Sequence, residues 1–207
     1  MSPMTQPLMR AGFAFGHAEH RLPLDNQTPL ALVIDSARLP QWLHTAAMKE
    51  PELQWASLYE GTAAERFEPI GPFLLRTYAG SPVLSLLATD PAWGTSAMLI
   101  SHQCDFDTLL GHLRSLVFVE DGNRLNLMRF YSPWILDTWF AALADERIHA
   151  LLGPAEMWAW RSFNYHDDGE WQWSWVTHAP GKVQHQQGWY RLSADELSVL
   201  DKLDEGA

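Results

Sequence analysis

Cys104 and His102 stand two residues apart, the separation that puts both side chains on one face of a strand. A thiol beside an imidazole can form a thiolate nucleophile. The competing reading is a buried, inert cysteine, the commoner fate of a lone thiol, and it is the better one here. His17-Ala18-Glu19-His20 offers two imidazoles and a carboxylate to a metal, and His166-Asp167-Asp168 repeats the theme in a hairpin loop. Neither has a further cluster to complete a four-ligand shell, and solvated residues explain both. Asp105 and Asp107 form a carboxylate pair, but they stand where a helix begins, at its positive dipole end. There is no Gly-x-Ser-x-Gly elbow, phosphate-binding glycine loop or His-Glu-x-x-His. No catalytic residue, metal or cofactor is expected.

Tryptophan is the other residue type that could do something. The chain holds 11, eight of them after residue 133: Trp134, Trp139, Trp158, Trp160, Trp171, Trp173, Trp175 and Trp189. An indole serves both cores and recognition surfaces. Glu156 to Phe163 and Glu170 to Thr177 read as a strand pair around Asn164 to Gly169. Trp158 and Trp160 share one face of the first strand; Trp171, Trp173 and Trp175 share one face of the second. An even-numbered hairpin loop would stack all five indoles on one face, whereas an odd one would split them. A stacked face is a platform for a sugar or a protein. Burial of most of the five is favoured, because large exposed apolar patches are rare on monomers.

Composition limits the partners. At 207 residues, 47% apolar and 19% charged, the chain reads as globular and can bury a core without staples. Lys+Arg 14 against Asp+Glu 25 gives −11, so phosphate backbones and anionic membrane surfaces are poor partners. A single cysteine excludes a disulfide framework. With no long apolar run and no signal-peptide pattern, the expected compartment is the cytoplasm.

The elements that position these residues follow from local pattern. Residues 1–29 read as an irregular N-terminal arm. Leu30 to Ile34, Leu53 to Tyr59, Phe73 to Tyr78 and Ala97 to Ser101 read as strands. Pro40 to Met48 reads as a helix; Ser81-Pro82 and Ser132-Pro133 each open another, and Asp105 caps a fourth. Leu116 to Val119 and Leu125 to Tyr131 form a hairpin about Asp121-Gly122, with Arg129 on its second strand. Asp145 to Leu152 is helical and ends at Gly153. Thr62 to Glu65 and Ser193 to Glu196 fit capping boxes; the second opens an amphipathic helix through Leu197, Leu200 and Leu203. The expected class is mixed α/β (α+β), a partly antiparallel sheet flanked by helices, with a Trp-rich C-terminal hairpin and a terminal helix. Residues 30–160 form the main domain, and 161–207 pack on it.

A series of short motifs then runs in order: Leu32-Val33-Ile34-Asp35; Trp55-x-x-Leu58-Tyr59-x-Gly61; Gly71-Pro72-x-Leu74-Leu75; Trp93-Gly94; His112-Leu113-Arg114; Arg129-Phe130-Tyr131-x-Pro133; Gly153-Pro154. In order and spacing the chain resembles the type VI secretion adaptor/chaperone family, long catalogued as a domain of unknown function. The resemblance implies a non-enzymatic bacterial cytosolic protein. Its partners would be a toxic effector and the valine-glycine-repeat spike protein onto which the effector is loaded. Ser132 stands where that family usually has Asp, and Trp134 where it often has Arg. Ser still caps a helix; the indole replaces a charge on a partner surface.

The pattern residues read as structural. Arg129, if inward, needs a carboxylate such as Asp35. Gly61, Gly71 and Gly153 sit where a positive φ is often required. Trp55, Tyr59 and Trp93 are expected in the core. Partner binding is expected outside the pattern, at Trp134, Trp171, Trp173, Trp175, Leu197 and Leu200. Two other functions fit a small acidic chain: an immunity protein that neutralises a toxin, and a carbohydrate-binding module built on the Trp ribbon.

Overall fold

In a computed structural model the chain is described over residues 8–10, 13–18, 28–163 and 171–204. An eight-stranded sheet forms its middle layer. The strands are β1 (Leu8–Arg10), β2 (Phe13–Ala18), β3 (Leu30–Asp35), β4 (Trp55–Ser57), β5 (Pro72–Thr77), β6 (Ala97–His102), β9 (Ala155–Phe163) and β10 (Trp171–Thr177). Their spatial order is β1-β2-β10-β9-β6-β3-β5-β4, and every pairing among them is antiparallel. A separate hairpin joins β7 (Phe118–Asp121) to β8 (Arg124–Leu127) through Gly122 and Asn123. The mixed α+β class expected from sequence is the class observed.

Leu30 to Ile34 is wholly buried because β3 lies mid-sheet with both faces covered, which is why it reads as a run rather than an alternation. Ala31 and Val33 join Leu74, Met98, Ile100, Trp158 and Trp160 on one face. Helices α4 (Phe106–Leu116), α5 (Pro133–Ala142) and α6 (Asp145–Leu152) cover it. Leu30, Leu32 and Ile34 join Phe73, Leu75, Leu99 and Met157 on the other. There α1 (Trp42–Lys49), α2 (Leu84–Thr89) and α3 (Pro91–Ser96) pack. The chain is a three-layer sandwich with one core on each side of the sheet, closed by α7 (Ala194–Asp204) against α5.

Several expectations change. The segment 13–18, placed in an irregular arm, forms β2 and pairs with β10, and 8–10 forms β1. Phe-Ala-Phe-Gly alternates large with small, a period-2 signal hidden by its glycines and brevity. The stretch after Ser81 divides into two helices, since Asp90 accepts the Ala92 N–H at 2.9 Å and Pro91 restarts the helix. Arg129 lies past the end of β8, not on it. Ser132 occupies the N-cap of α5 but makes no side-chain cap bond. Gly61 and Gly153 have positive φ, whereas Gly71 does not. A Cβ at Gly71 would lie 2.4 Å from the Tyr59 ring, so close approach is what requires glycine there.

The ribbon register resolves the indole question. Phe163 pairs with Trp171, leaving seven residues, 164–170, between the strands. Odd positions therefore oppose odd ones, as in Trp173↔Arg161. Trp158 and Trp160 enter the core under α5, while Trp173 and the partly buried Trp175 pack in the opposite core. No face carries all five indoles.

Candidate functional site

Residues of the motif series from Asp35 to Tyr131 converge although they span about a hundred positions. Asp35 ends β3, and its carboxylate is 1% exposed. Arg129 reaches it from the turn after β8 and forms an ion pair through Nη2 and Oδ2. Tyr131 lies beside the same guanidinium, and its hydroxyl stands 3.3 Å from that of Tyr59. The Tyr59 ring packs on Gly71, whose carbonyl accepts the Ser36 hydroxyl at 2.6 Å. Phe130 meets Tyr131 edge to face and leads to the Trp158 indole.

Electrostatics in this cluster hold a fixed charge pair. Burial alone would lower the Arg129 pKa, but the Asp35 carboxylate reverses this and raises it. Burial raises both tyrosine hydroxyls, so both stay protonated donors. Asp35 Oδ1 is buried and has no hydrogen-bond partner among the described residues. The Arg129 side chain is 46% exposed, so one end of the cluster reaches the surface. It can hold a charge and offer guanidinium donors at its exposed end.

A second carboxylate hub lies outside the pattern, and sequence reasoning saw only half of it. Glu196 does close the expected capping box: its Oε2 accepts the Ser193 N–H at 2.8 Å, and Ser193 Oγ accepts the Glu196 N–H at 3.3 Å. The same carboxylate also accepts from Tyr190 Oη at 2.6 Å, Trp139 Nε1 at 3.1 Å and Arg147 Nη2 at 2.6 Å. Burial works to raise its pKa, but the bonds from Tyr190 and Ser193 and the Arg147 charge bring it below the ordinary carboxylate value. A Glu at N3 announces a cap; nothing local announces that three distant donors share it.

His112, a residue of the motif series, has a structural role whose partners no local signal names. It is fully buried on α4. Its Nε2–H donates to the Leu151 carbonyl at 2.9 Å, and its Nδ1 accepts the Gln184 N–H at 3.1 Å, which fixes a neutral tautomer. Burial drives its pKa down to about 4, with the Leu151 bond opposing and His185 assisting.

The other sequence candidates separate. Cys104 and His102 are adjacent, with Sγ 3.8 Å from Nδ1, but Nδ1 is engaged by the Cys104 carbonyl at 2.9 Å. Burial raises the thiol and lowers the imidazole, opposite to what a thiolate–imidazolium pair needs. His17 lies on β2 opposite Ser174; His20 and His166 to Asp168 lie outside the described residues. Among the described residues no group of three or more His, Cys, Asp or Glu could hold a metal.

The expected partner surface is only partly surface. Trp134, in the first turn of α5, is 52% exposed. Trp173 is 7% exposed and belongs to a core, which corrects its placement, and Leu200 packs against the other core. Trp175 and Leu197 are half-buried, and the Trp171 side chain lies outside the described set. Among the pattern residues Tyr59, Trp93, Phe130 and Tyr131 are buried, as are Gly71, Pro72, Gly94 and Pro133. Trp55, expected in the core, is 42% exposed because β4 is the edge strand; it meets Trp42 and Phe73 from the rim.

The three-layer fold and its polar clusters define a scaffold whose recognisable residues hold elements together. The chain belongs to the family described as a domain of unknown function, DUF4123, whose family model matches residues 31–150. No curated protein and no solved structure matches it. Among the described residues no helix is long and apolar enough to cross a membrane.

Proposed function

We propose that this chain is a non-enzymatic adaptor that binds a type VI secretion effector in the cytoplasm and helps load it onto the valine-glycine-repeat spike protein. One coincidence carries the reading. The pattern through which the chain resembles those adaptors runs from Leu32 to Pro154, and the family match covers 31–150. The geometry of the pattern residues supports a scaffold role, since most of them build the core and the Asp35–Arg129 cluster. Trp134 is the exposed residue that best suits a partner surface, a large indole at a helix start. Trp158 and Trp160 enter one core while Trp173 and Trp175 pack in the other, which removes the support for a carbohydrate platform.

The test is co-purification from native bacterial lysate at moderate salt with a tagged full-length chain. Recovery of a toxin that keeps its activity while bound, and loss of its delivery when this chain is deleted, is the expected result. A toxin silenced in the complex would replace the adaptor reading with an immunity protein. A chain that returns alone, from cells whose effector delivery does not depend on it, would overturn the proposal.

A further inference from the structure

At the sheet end where β5 runs out, a cleft of about 440 Å³ opens between the loop after α1 and the last residues of β5. Glu50, Glu52, Gln54, Arg76, Thr77 and Tyr78 line it. Acidic residues at a loop are ordinary, and alone they would mean nothing. The floor is different. Thr77 is 4% exposed, yet its hydroxyl has no hydrogen-bond partner among the described residues. A buried hydroxyl without a partner costs free energy unless something arrives to bond it. By strand alternation Thr77 shares the sheet face of Phe73 and Leu75, the face that α1 covers. Its hydroxyl is therefore on the side where Glu50, the C-cap of α1, and Glu52 stand.

The two carboxylates are also available. Glu50 accepts the Ser81 hydroxyl at 2.7 Å through Oε2, which holds the side chain in place, and Oε1 has no hydrogen bond among the described residues. Glu52 is exposed and has no ion pair among the described residues. The one cation of the lining, Arg76, is turned to Gln54, with Nη1 3.1 Å from Oε1. Tyr78 is 53% exposed and its side chain is among those lining the cleft.

From this we infer a site for a lysine side chain presented by an extended polypeptide. The ammonium has three N–H donors and no acceptor, and the cleft offers two carboxylates and a hydroxyl. The four-carbon stem can lie along the Tyr78 ring with the charge beyond it. Arg76 at the rim suits the carbonyl oxygens of the visiting backbone and disfavours a second cation. A chain of net charge −11 also attracts basic segments at long range. The proposal stands on the cleft itself and does not require the adaptor reading.

The experiment is amide NMR on the isotope-labelled full chain, titrated with Nα-acetyl-lysine-N-methylamide and separately with the norleucine analogue, which lacks the charge. The lysine compound is expected to shift the amides of Gln54, Thr77 and Tyr78 saturably, more weakly as salt rises. Norleucine is expected to leave them in place. Glu52→Gln should weaken the lysine affinity about fivefold, the scale of an exposed ion pair, and the isosteric Thr77→Val about threefold, the scale of one lost neutral hydrogen bond. Equal shifts from both compounds, no saturable shift at tens of millimolar, or unchanged affinity in folded Glu52→Gln would each overturn the site.

Discussion

Two carboxylate–guanidinium clusters, one inside the family match and one straddling its end, are built from the same parts and differ in how completely they are satisfied. At Asp35 one oxygen takes Arg129 and the other has no partner among the described residues. At Glu196 both oxygens are engaged: Oε1 by Tyr190 and Trp139, Oε2 by Arg147 and the Ser193 N–H. Both carboxylates are nearly inaccessible, at 1% and 2% exposure. A fully bonded buried carboxylate fixes one geometry, because any displacement breaks several bonds at once. A half-bonded one holds its partner but leaves capacity unspent. The Glu196 hub thus acts as a staple that locks α7 to α5 and α6. The Asp35 cluster joins β3 to the turn after β8 and has a half-exposed arginine at its rim.

Breaking the staple should have the largest effect. Glu196→Gln keeps the shape and an acceptor for Tyr190 and Trp139, but leaves Arg147 without its counter-charge and turns an amide donor toward the Arg147 and Ser193 donors. The expected loss is about 4 kcal/mol, the scale of a broken buried pair. Urea unfolding followed by tryptophan fluorescence measures it, and a loss below about 1 kcal/mol, the scale of an exposed pair, would show that the hub is not a staple. Arg129→Met comes next. It strands Asp35, but half of Arg129 is already in water, so about 2–3 kcal/mol is expected, at the lower end for a stranded charge. Asp35→Asn in the same chain should recover part of that loss, since the buried charge disappears. Additive single and double variants would mean the two side chains are not coupled.

These two clusters also show what the sequence made legible. The Asp35–Arg129 pairing could be anticipated because an arginine between Met128 and Phe130 needs a carboxylate, and Asp35 ends an otherwise apolar run. The cores were legible in the same way, from Leu30 to Ile34 and the leucines of α4. The side of the sheet on which each ribbon indole falls was not, because one residue of loop length inverts it. Glu196 was legible as a cap and illegible as a hub, since Trp139, Arg147 and Tyr190 reach it only through tertiary packing. Trp55 was misplaced because periodicity cannot tell an edge strand from a central one. The lysine cleft had no sequence signal at all: Glu50, Glu52 and Thr77 carry no motif.

Acid separates the Glu196 hub from the buried His112 through their linkage to protons. His112 titrates at 6.5 when unfolded and at about 4 when folded. Below pH 6.5 the unfolded chain therefore binds a proton that the folded chain refuses, and stability falls as pH drops from 6.5 to about 4. At about 1.4 kcal/mol per pH unit the loss reaches about 3 kcal/mol and then levels off. Glu196 acts lower. Its folded pKa lies below the ordinary 4.5, so its contribution is full above that value and disappears as pH falls through the folded one. Glu196→Gln should flatten the stability profile below pH 4.5 and leave the 6.5-to-4 limb intact. An NMR titration of the His112 ring that already moves near pH 6.5 would place this histidine in water and remove that limb.

The smallest effect tests satisfaction itself, with size held constant. Trp139 and Trp158 are both fully buried, and Trp→Phe removes the same atoms from each. Trp139 Nε1 donates to Glu196, whereas Trp158 Nε1 has no partner among the described residues. The shared packing loss cancels in the difference, leaving the hydrogen bond to a charged acceptor on one side and an already unsatisfied N–H on the other. Trp139→Phe should therefore cost about 1.5–3 kcal/mol more than Trp158→Phe, the worth of a bond to a charged group. In Glu196→Gln that difference should shrink toward the value of a neutral bond, about 1 kcal/mol. Equal costs in the native background would mean the Trp139 bond adds nothing to the hub, and the contrast between the two clusters would rest on Arg147 and Tyr190 alone.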